Sequence, residues 1–200
     1  MLTVLIWLNG PHGVGKTQVA FDLHRRLPGS VVCDPEHLVN GLRRMLPGKE
    51  LRTDPRGVPL WRCGVRDVLG TVLPVAAGPV ITPMTVSDPD GLAEIIGPLR
   101  AAGHAVHHVT LLASRDVLLR RRRSRLETTR GNAARQLDLV LAALLAPEFA
   151  RHLSTDGLPI GAVADDIACH AGLNLEPDGD GLVRRRIRRI GVQLDHIRWG

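Results

Sequence analysis

The chain contains no tyrosine, two phenylalanines and three tryptophans in 200 residues. Proteins that stack nucleic-acid bases rely on aromatic platforms. This poverty of rings argues against an RNA- or single-strand-binding sheet, although the net charge is +6. Cysteine is also sparse. Cys33, Cys63 and Cys169 are odd in number and widely spaced, which gives no disulfide framework and no zinc pattern and points to a reducing cytoplasm. No apolar run reaches the ~18 residues that cross a bilayer. The apolar start at Leu2 lacks a basic flank and runs into a glycine motif, so it reads as a strand and not as an export signal. Lysine is nearly missing: Lys16 and Lys49 stand alone, and the other 24 basic residues are arginine. What is present is ordinary for a globular chain, 44% apolar and 23% charged, which excludes wholesale disorder.

Hydrophobic spacing predicts alternating strands and helices. Residues 2–9 form a continuous apolar strand, residues 10–17 a glycine-rich turn, and Thr17–Leu27 a helix with Val19, Ala20, Leu23 and Leu27 on one face. Further strands are expected at Ser30–Cys33, Pro79–Thr85, Ala105–Ala113 and 150–155. Further helices are expected at 36–46, 60–76, 115–126, 133–145 and 159–171, with another capped by Asp88 and running to about 102. Pro83 is awkward for a central strand, because proline has no amide hydrogen. The alternation argues for βαβ units and a parallel sheet covered on both faces. A domain over 1–175 is followed by a hinge and a C-terminal helix over 176–200.

Gly10-Pro11-His12-Gly13-Val14-Gly15-Lys16-Thr17 fits G-x-x-x-x-G-K-[ST] without a mismatch. Phosphate oxygens need several backbone N–H groups aimed at one point, and glycine permits the tight turn that provides them. The helix that follows adds its positive end. Lys16 supplies a flexible point charge to the outer phosphates, and the Thr17 hydroxyl is a magnesium ligand. In a chain that uses arginine almost everywhere, lysine stands where a rigid guanidinium fork would not fit. ATP and magnesium are therefore the expected cofactors.

Signalling GTPases carry Asn-Lys-x-Asp, which is missing. The third strand ends Pro83-Met84-Thr85 without an acid, which weakens a motor or AAA-type ATPase reading and suits small-molecule kinases better. In that reading the working acid is Asp34, at the end of a strand beside the glycine-loop strand, where it accepts a hydroxyl proton or holds a magnesium water. A plain Asp-Pro turn is the alternative. Glu36 is a helper or a first-turn residue stabilising the helix dipole. Arg43 and Arg44 line an acceptor pocket or a solvated helix face, and Trp61 is a core ring or a wall against a ring-bearing substrate. The run from Arg120 to Arg125 holds five arginines. Arg121 and Arg125 share a helix face, and the segment around 120–135 reads as a lid that clamps the transferring phosphoryl group. Solvated or nucleic-acid-binding faces are the alternatives. His104, His107 and His108 lie on one strand pointing to both faces, which makes a poor metal site.

In the tail, Val183, Ile187, Ile190, Leu194 and Ile197 form one apolar stripe, with Arg184, Arg185, Arg188 and Arg189 mostly opposite. This basic amphipathic pattern over 182–199 fits docking on the domain or on a second subunit, and it also fits peripheral contact with the inner membrane face.

Together these segments resemble the tunicamycin-resistance ATP-binding protein family, TmrB, a branch of the P-loop kinases. The resemblance rests on Ile6-Trp7-Leu8-Asn9-Gly10, Gly13-Val14-Gly15-Lys16-Thr17-Gln18, Leu23-His24-Arg25-Arg26-Leu27, Asp34-Pro35-Glu36, Pro59-Leu60-Trp61, Pro83-Met84-Thr85, Val106-His107-His108 and Leu194-Asp195-His196-Ile197-Arg198. It implies an α/β P-loop kinase fold with a parallel five-stranded sheet, a lid and ATP binding. It also implies a role in resistance to tunicamycin, a lipid-bearing nucleoside antibiotic, by phosphorylating or holding it. Gly10 to Thr17 fall on the ATP loop, Asp34 on the acid, Arg121 and Arg125 on the lid, and Trp61 and Met84 in the matching substrate-side pieces. Arg122 departs from the pattern, standing where leucine usually separates the lid arginines.

Overall fold

The computed structural model describes residues 3–48, 55–124, 132–149 and 151–177. Among them, five strands alternate with seven α-helices. They are β1 (Val4–Asn9), α1 (Lys16–Arg26), β2 (Val31–Val32), α2 (Glu36–Met45), α3 (Pro59–Val72), β3 (Val80–Pro83), α4 (Pro89–Ala101), β4 (Ala105–Leu112), α5 (Arg115–Arg123), α6 (Asn132–Leu144), β5 (His152–Ser154) and α7 (Ile160–His170). All pairings are parallel and the order is β2-β3-β1-β4-β5. The predicted strands and helices are present at nearly the predicted places. The amphipathic tail over 182–199 lies outside the described residues.

The continuous apolar run of β1 follows from burial on both faces. Leu5 and Trp7 point to one side and pack with Val39 and Leu42 of α2, Trp61, Val65 and Leu69 of α3, and Ile95 and Leu99 of α4. Ile6 and Leu8 point to the other and pack with Val19, Ala20 and Leu23 of α1, Leu118 of α5, and Val163 and Ile167 of α7. On the α1 side, the nearly buried Arg26 joins Asp22 and Asp165 and donates to the Glu176 carbonyl, which anchors the end of the described chain.

Pro83 sits in β3 at no cost to the ladder. The Ile81 carbonyl faces β2, accepting from Cys33 N, while Met84 N faces β1, donating to the Leu8 carbonyl at 3.0 Å. Along a parallel strand these directions alternate, so the missing Pro83 N–H would point towards β2, just past the last pair, Val32↔Ile81. The order also corrects one expectation. The strand before Asp34 is not beside the glycine-loop strand, because β3 lies between β2 and β1. The crossover through α1 passes over both β1 and β3, leaving a slot that β3 fills.

Candidate active site

The glycine loop leaves β1 where the chain order changes direction, the crevice in which open α/β sheets bind ligands. Gly10, Gly13 and Gly15 have φ of 137°, 88° and 111°. A side chain on Gly10 would collide with the Leu111 carbonyl oxygen of β4, so the loop starts pressed against the sheet in a conformation that favours glycine.

A polar frame fixes this loop to the segment after β3. Asn9 is fully buried at the end of β1. Its Oδ1 accepts from Gly10 N at 2.8 Å and Val86 N at 3.0 Å, and its Nδ2 donates to the Val86 carbonyl at 2.8 Å. Lys16 Nζ donates to the Gly10 and Pro11 carbonyls at 2.9 and 3.1 Å and to Thr85 Oγ1 at 2.8 Å. Thr85 Oγ1 donates in turn to the Gly10 carbonyl at 2.7 Å. The ammonium of the motif is thus held between the two loops that meet at the crevice. Under the frame, His108 Nε2 lies 3.4 Å from Asn9 Nδ2 and 3.3 Å from Thr110 Oγ1. Burial first, then the neighbouring Arg100 and His152 charges, push the His108 imidazole down to about 4.

Beside the frame opens a cleft of about 600 Å³. The loop contributes His12 to its lining, and the segment after β3 contributes Thr85, Val86, Ser87 and Asp88. Arg56, Trp61 and Arg62 come from around α3, Arg122 from α5, and Gln136, Leu137, Leu139 and Val140 from α6. One wall is polar and mostly basic; the α6 wall is apolar apart from Gln136.

The structure distributes the remaining candidates unequally. Trp61 reaches the cleft but is almost wholly buried, its Nε1 donating to the Pro35 carbonyl at 3.5 Å. Met84 is a core residue. Asp34 follows β2 and is not among the cleft's lining residues; its Oδ1 accepts from Glu36 N at 2.9 Å, the turn geometry of an Asp-Pro corner. That carboxylate and, above all, burial push the Cys33 thiol up. Arg43 donates to Asn40 of its own helix and pairs with Glu36 at 3.6 Å. Arg121 binds the glycine loop from behind the sequence motif: its Nη1 donates to the Val14 carbonyl at 3.0 Å and Thr155 Oγ1 at 3.3 Å, and its Nη2 to the Thr155 carbonyl at 3.3 Å. Arg122, set aside by the lid register, packs its stem against Gly13, where a Cβ would stand 3.3 Å from its Cγ. Arg125 lies outside the described residues.

Asn9, Thr85 and Asp88 were missed as site residues. A polar residue ending an apolar strand at the loop was a usable signal for Asn9. Thr85 and Asp88 come to the site only through β3 lying next to β1, which spacing along the chain does not reveal.

Residues 5–147 match the AAA domain family model. The tunicamycin resistance protein of Deinococcus radiodurans is 38% identical, covers 88% of this chain and 99% of its own, and superposes with a TM-score of 0.76. The chain belongs to both the AAA domain family and the tunicamycin-resistance (TmrB) family. A gluconokinase from Sinorhizobium meliloti shares the fold at 18% identity and a TM-score of 0.59, covering 86% of this chain and 93% of its own. So does the Mycobacterium tuberculosis APS kinase solved in complex with AMPPNP and APS, at 16% identity and 0.54, covering 84% and 96%. Among curated proteins, no sequence matches. The expectation that a motor or AAA-type ATPase reading is weaker than a kinase-like one stands beside the AAA domain match, because the fold is that of the P-loop kinases. The observation behind that expectation holds, since β3 of this tunicamycin-resistance family member ends in Pro83 with no acid before Asp88.

Proposed function

We propose that this protein is an ATP-dependent phosphotransferase that confers resistance to tunicamycin-like nucleosides by moving a phosphoryl group onto an acceptor hydroxyl. The observation that carries the reading is the frame that holds Lys16 Nζ against Gly10, Pro11 and Thr85 at the edge of the cleft. It puts the charge that phosphoryl transfer needs beside a space large enough for a small molecule.

The loop suits a polyphosphate. Its glycines take the positive φ values that let the loop curl tightly, and α1 begins at Lys16 with no side-chain cap on its first amides. Among the described residues no group of three His, Cys, Asp or Glu side chains is placed to hold a metal. Magnesium would therefore be held by the Thr17 hydroxyl together with phosphate oxygens and water, the usual arrangement for this ion. Bound nucleotide supplies the phosphoryl group. The protein orients it with the loop amides, neutralises developing charge with Lys16, and lines the approach with His12 and Arg122. Asp34 and Arg125 belong to the proposal as the magnesium-water acid and the lid clamp. The amphipathic residues 182–199 belong to it as a peripheral membrane contact at the cytoplasmic face, tested by flotation with anionic vesicles before and after their deletion.

The deciding experiment incubates the protein with Mg-ATP and tunicamycin and reads the drug's mass. A shift of one phosphate is expected. Unchanged mass with intact drug and nucleotide binding would replace transfer by sequestration.

A further inference from the structure

Among the described residues that line the cleft, Asp88 is the only carboxylate. It is the N-cap of α4, and one of its oxygens, Oδ2, accepts from Gly91 N at 3.1 Å. That bond fixes the side chain, while among the described residues the other oxygen accepts no hydrogen bond. Gly91 keeps the surroundings tight: a Cβ there would stand 2.8 Å from Asp88 Oδ2 and 3.2 Å from Arg62 Cδ. The Arg62 guanidinium is engaged by Glu94 and the Gly57 carbonyl, so it does not neutralise Asp88. Asp88 also lies three residues after Thr85, whose hydroxyl holds Lys16 Nζ. A fixed carboxylate with a free oxygen therefore faces the cleft on the same short segment that anchors the phosphate-binding ammonium.

From this the geometry points to Asp88, and not Asp34, as the residue that receives the acceptor's hydroxyl. The inference rests on the phosphotransferase reading above. As the acceptor oxygen bonds to the transferred phosphorus, the bond from that phosphorus to the departing nucleoside diphosphate breaks and its electron pair leaves with the diphosphate. The hydroxyl proton passes to the free Asp88 oxygen and from there to water. Arg122 and His12 on the same cleft balance the charge of the phosphates, and the apolar α6 wall receives the rest of the acceptor.

The test uses the full chain and two substitutions that keep the helix cap, since asparagine and serine both cap well. Asp88→Asn and Asp88→Ser should melt near wild type and bind Mg-ATP unchanged. Their phosphoryl transfer to tunicamycin should fall by about a hundredfold or more, the usual contribution of a positioned general base. Asp34→Asn should keep more activity than either. Calorimetric titration with tunicamycin supplies the second readout. Asp88→Ser should weaken drug binding about tenfold, the scale of one lost hydrogen bond to a charged group. Transfer and drug affinity both within threefold of wild type in Asp88→Ser would overturn the assignment. If wild type itself transfers nothing, the phosphotransferase reading fails, and the affinity comparison still decides whether Asp88 touches the acceptor.

Discussion

The glycine loop with its frame and the arginine-rich α5 both read as functional in the sequence, and the structure treats them differently. The loop works through its backbone. Its glycines, its lysine and the strand–helix context act as one unit, so the written pattern and the folded object coincide. In α5 four consecutive arginines carry the same chemistry and differ only in rotation about the helix axis. Arg121 ties α5 to Val14 and Thr155, Arg122 covers Gly13, and Arg120 and Arg123 are exposed. A motif defined by backbone geometry is legible residue by residue; a run of one residue type is legible only as a face.

The strongest way to sharpen that comparison is to remove the loop's charge. Lys16→Met should lower phosphoryl transfer by about a thousandfold, the upper range for losing an electrostatic contact to a transferring phosphoryl group. It should also weaken nucleotide affinity, read by titration with a fluorescent ATP analogue. A variant that transfers normally would mean the frame positions Lys16 for structure alone.

The frame itself should fail next. Asn9→Leu removes its hydrogen bonds to Gly10 N, Val86 N and the Val86 carbonyl, together with the contact to His108 Nε2. Buried backbone groups left unpaired cost roughly 1–3 kcal/mol each. We expect a loss of about 4 kcal/mol in urea unfolding, with partial relaxation taking up the remainder. A loss under 1 kcal/mol would show that the loop and the segment after β3 hold their places independently.

These two experiments probe what the sequence reveals well and what it conceals. The parallel sheet was legible because β1 is a continuous apolar run and the strands that follow it alternate with helices of clear period. Asp88 was legible as a helix cap because capping is a local event. Its place in the cleft was not, for that depends on β3 inserting between β2 and β1, a contact between segments over seventy residues apart. The same insertion takes Asp34 away from the glycine-loop strand, although in sequence Asp34 looks the nearer acid. Trp61 was balanced between a core ring and a wall against substrate; its burial places it in the core, with an edge at the cleft.

A pH experiment reads the floor of the frame. The His108 imidazole titrates near 4 in the folded chain against 6.5 unfolded. Between those values the unfolded state binds a proton that the folded state does not. The His108 contribution is therefore fully favourable above about pH 6.5, is lost progressively as pH falls towards 4, and is flat below. The span corresponds to about 3 kcal/mol at one pKa unit per 1.36 kcal/mol. The Asn9 amide nitrogen can only donate, so protonating His108 Nε2 would also break that contact. Urea unfolding from pH 7 to pH 4 should show a smaller acid loss in His108→Asn than in wild type, and equal slopes would place the strain elsewhere.

The smallest effect returns to α5 and tests the comparison at its weaker end. Arg121→Met keeps an unbranched stem of similar length and removes donors to the Val14 carbonyl, Thr155 Oγ1 and the Thr155 carbonyl. Hydrogen bonds from a charged donor are worth more than neutral ones, so a loss of about 2 kcal/mol is expected. Arg123→Met, one residue towards solvent from Arg122, should change stability by less than about 0.5 kcal/mol, as exposed substitutions do. Both lower the net charge equally, so any difference between them is positional. If the two variants unfold at the same urea concentration, the α5 arginines act as an undivided basic face, and the contrast with the glycine loop becomes one between a shaped site and a field. If only Arg121→Met is destabilised and its nucleotide affinity also falls, α5 acts by holding the loop in shape, and phosphate clamping passes to Arg122.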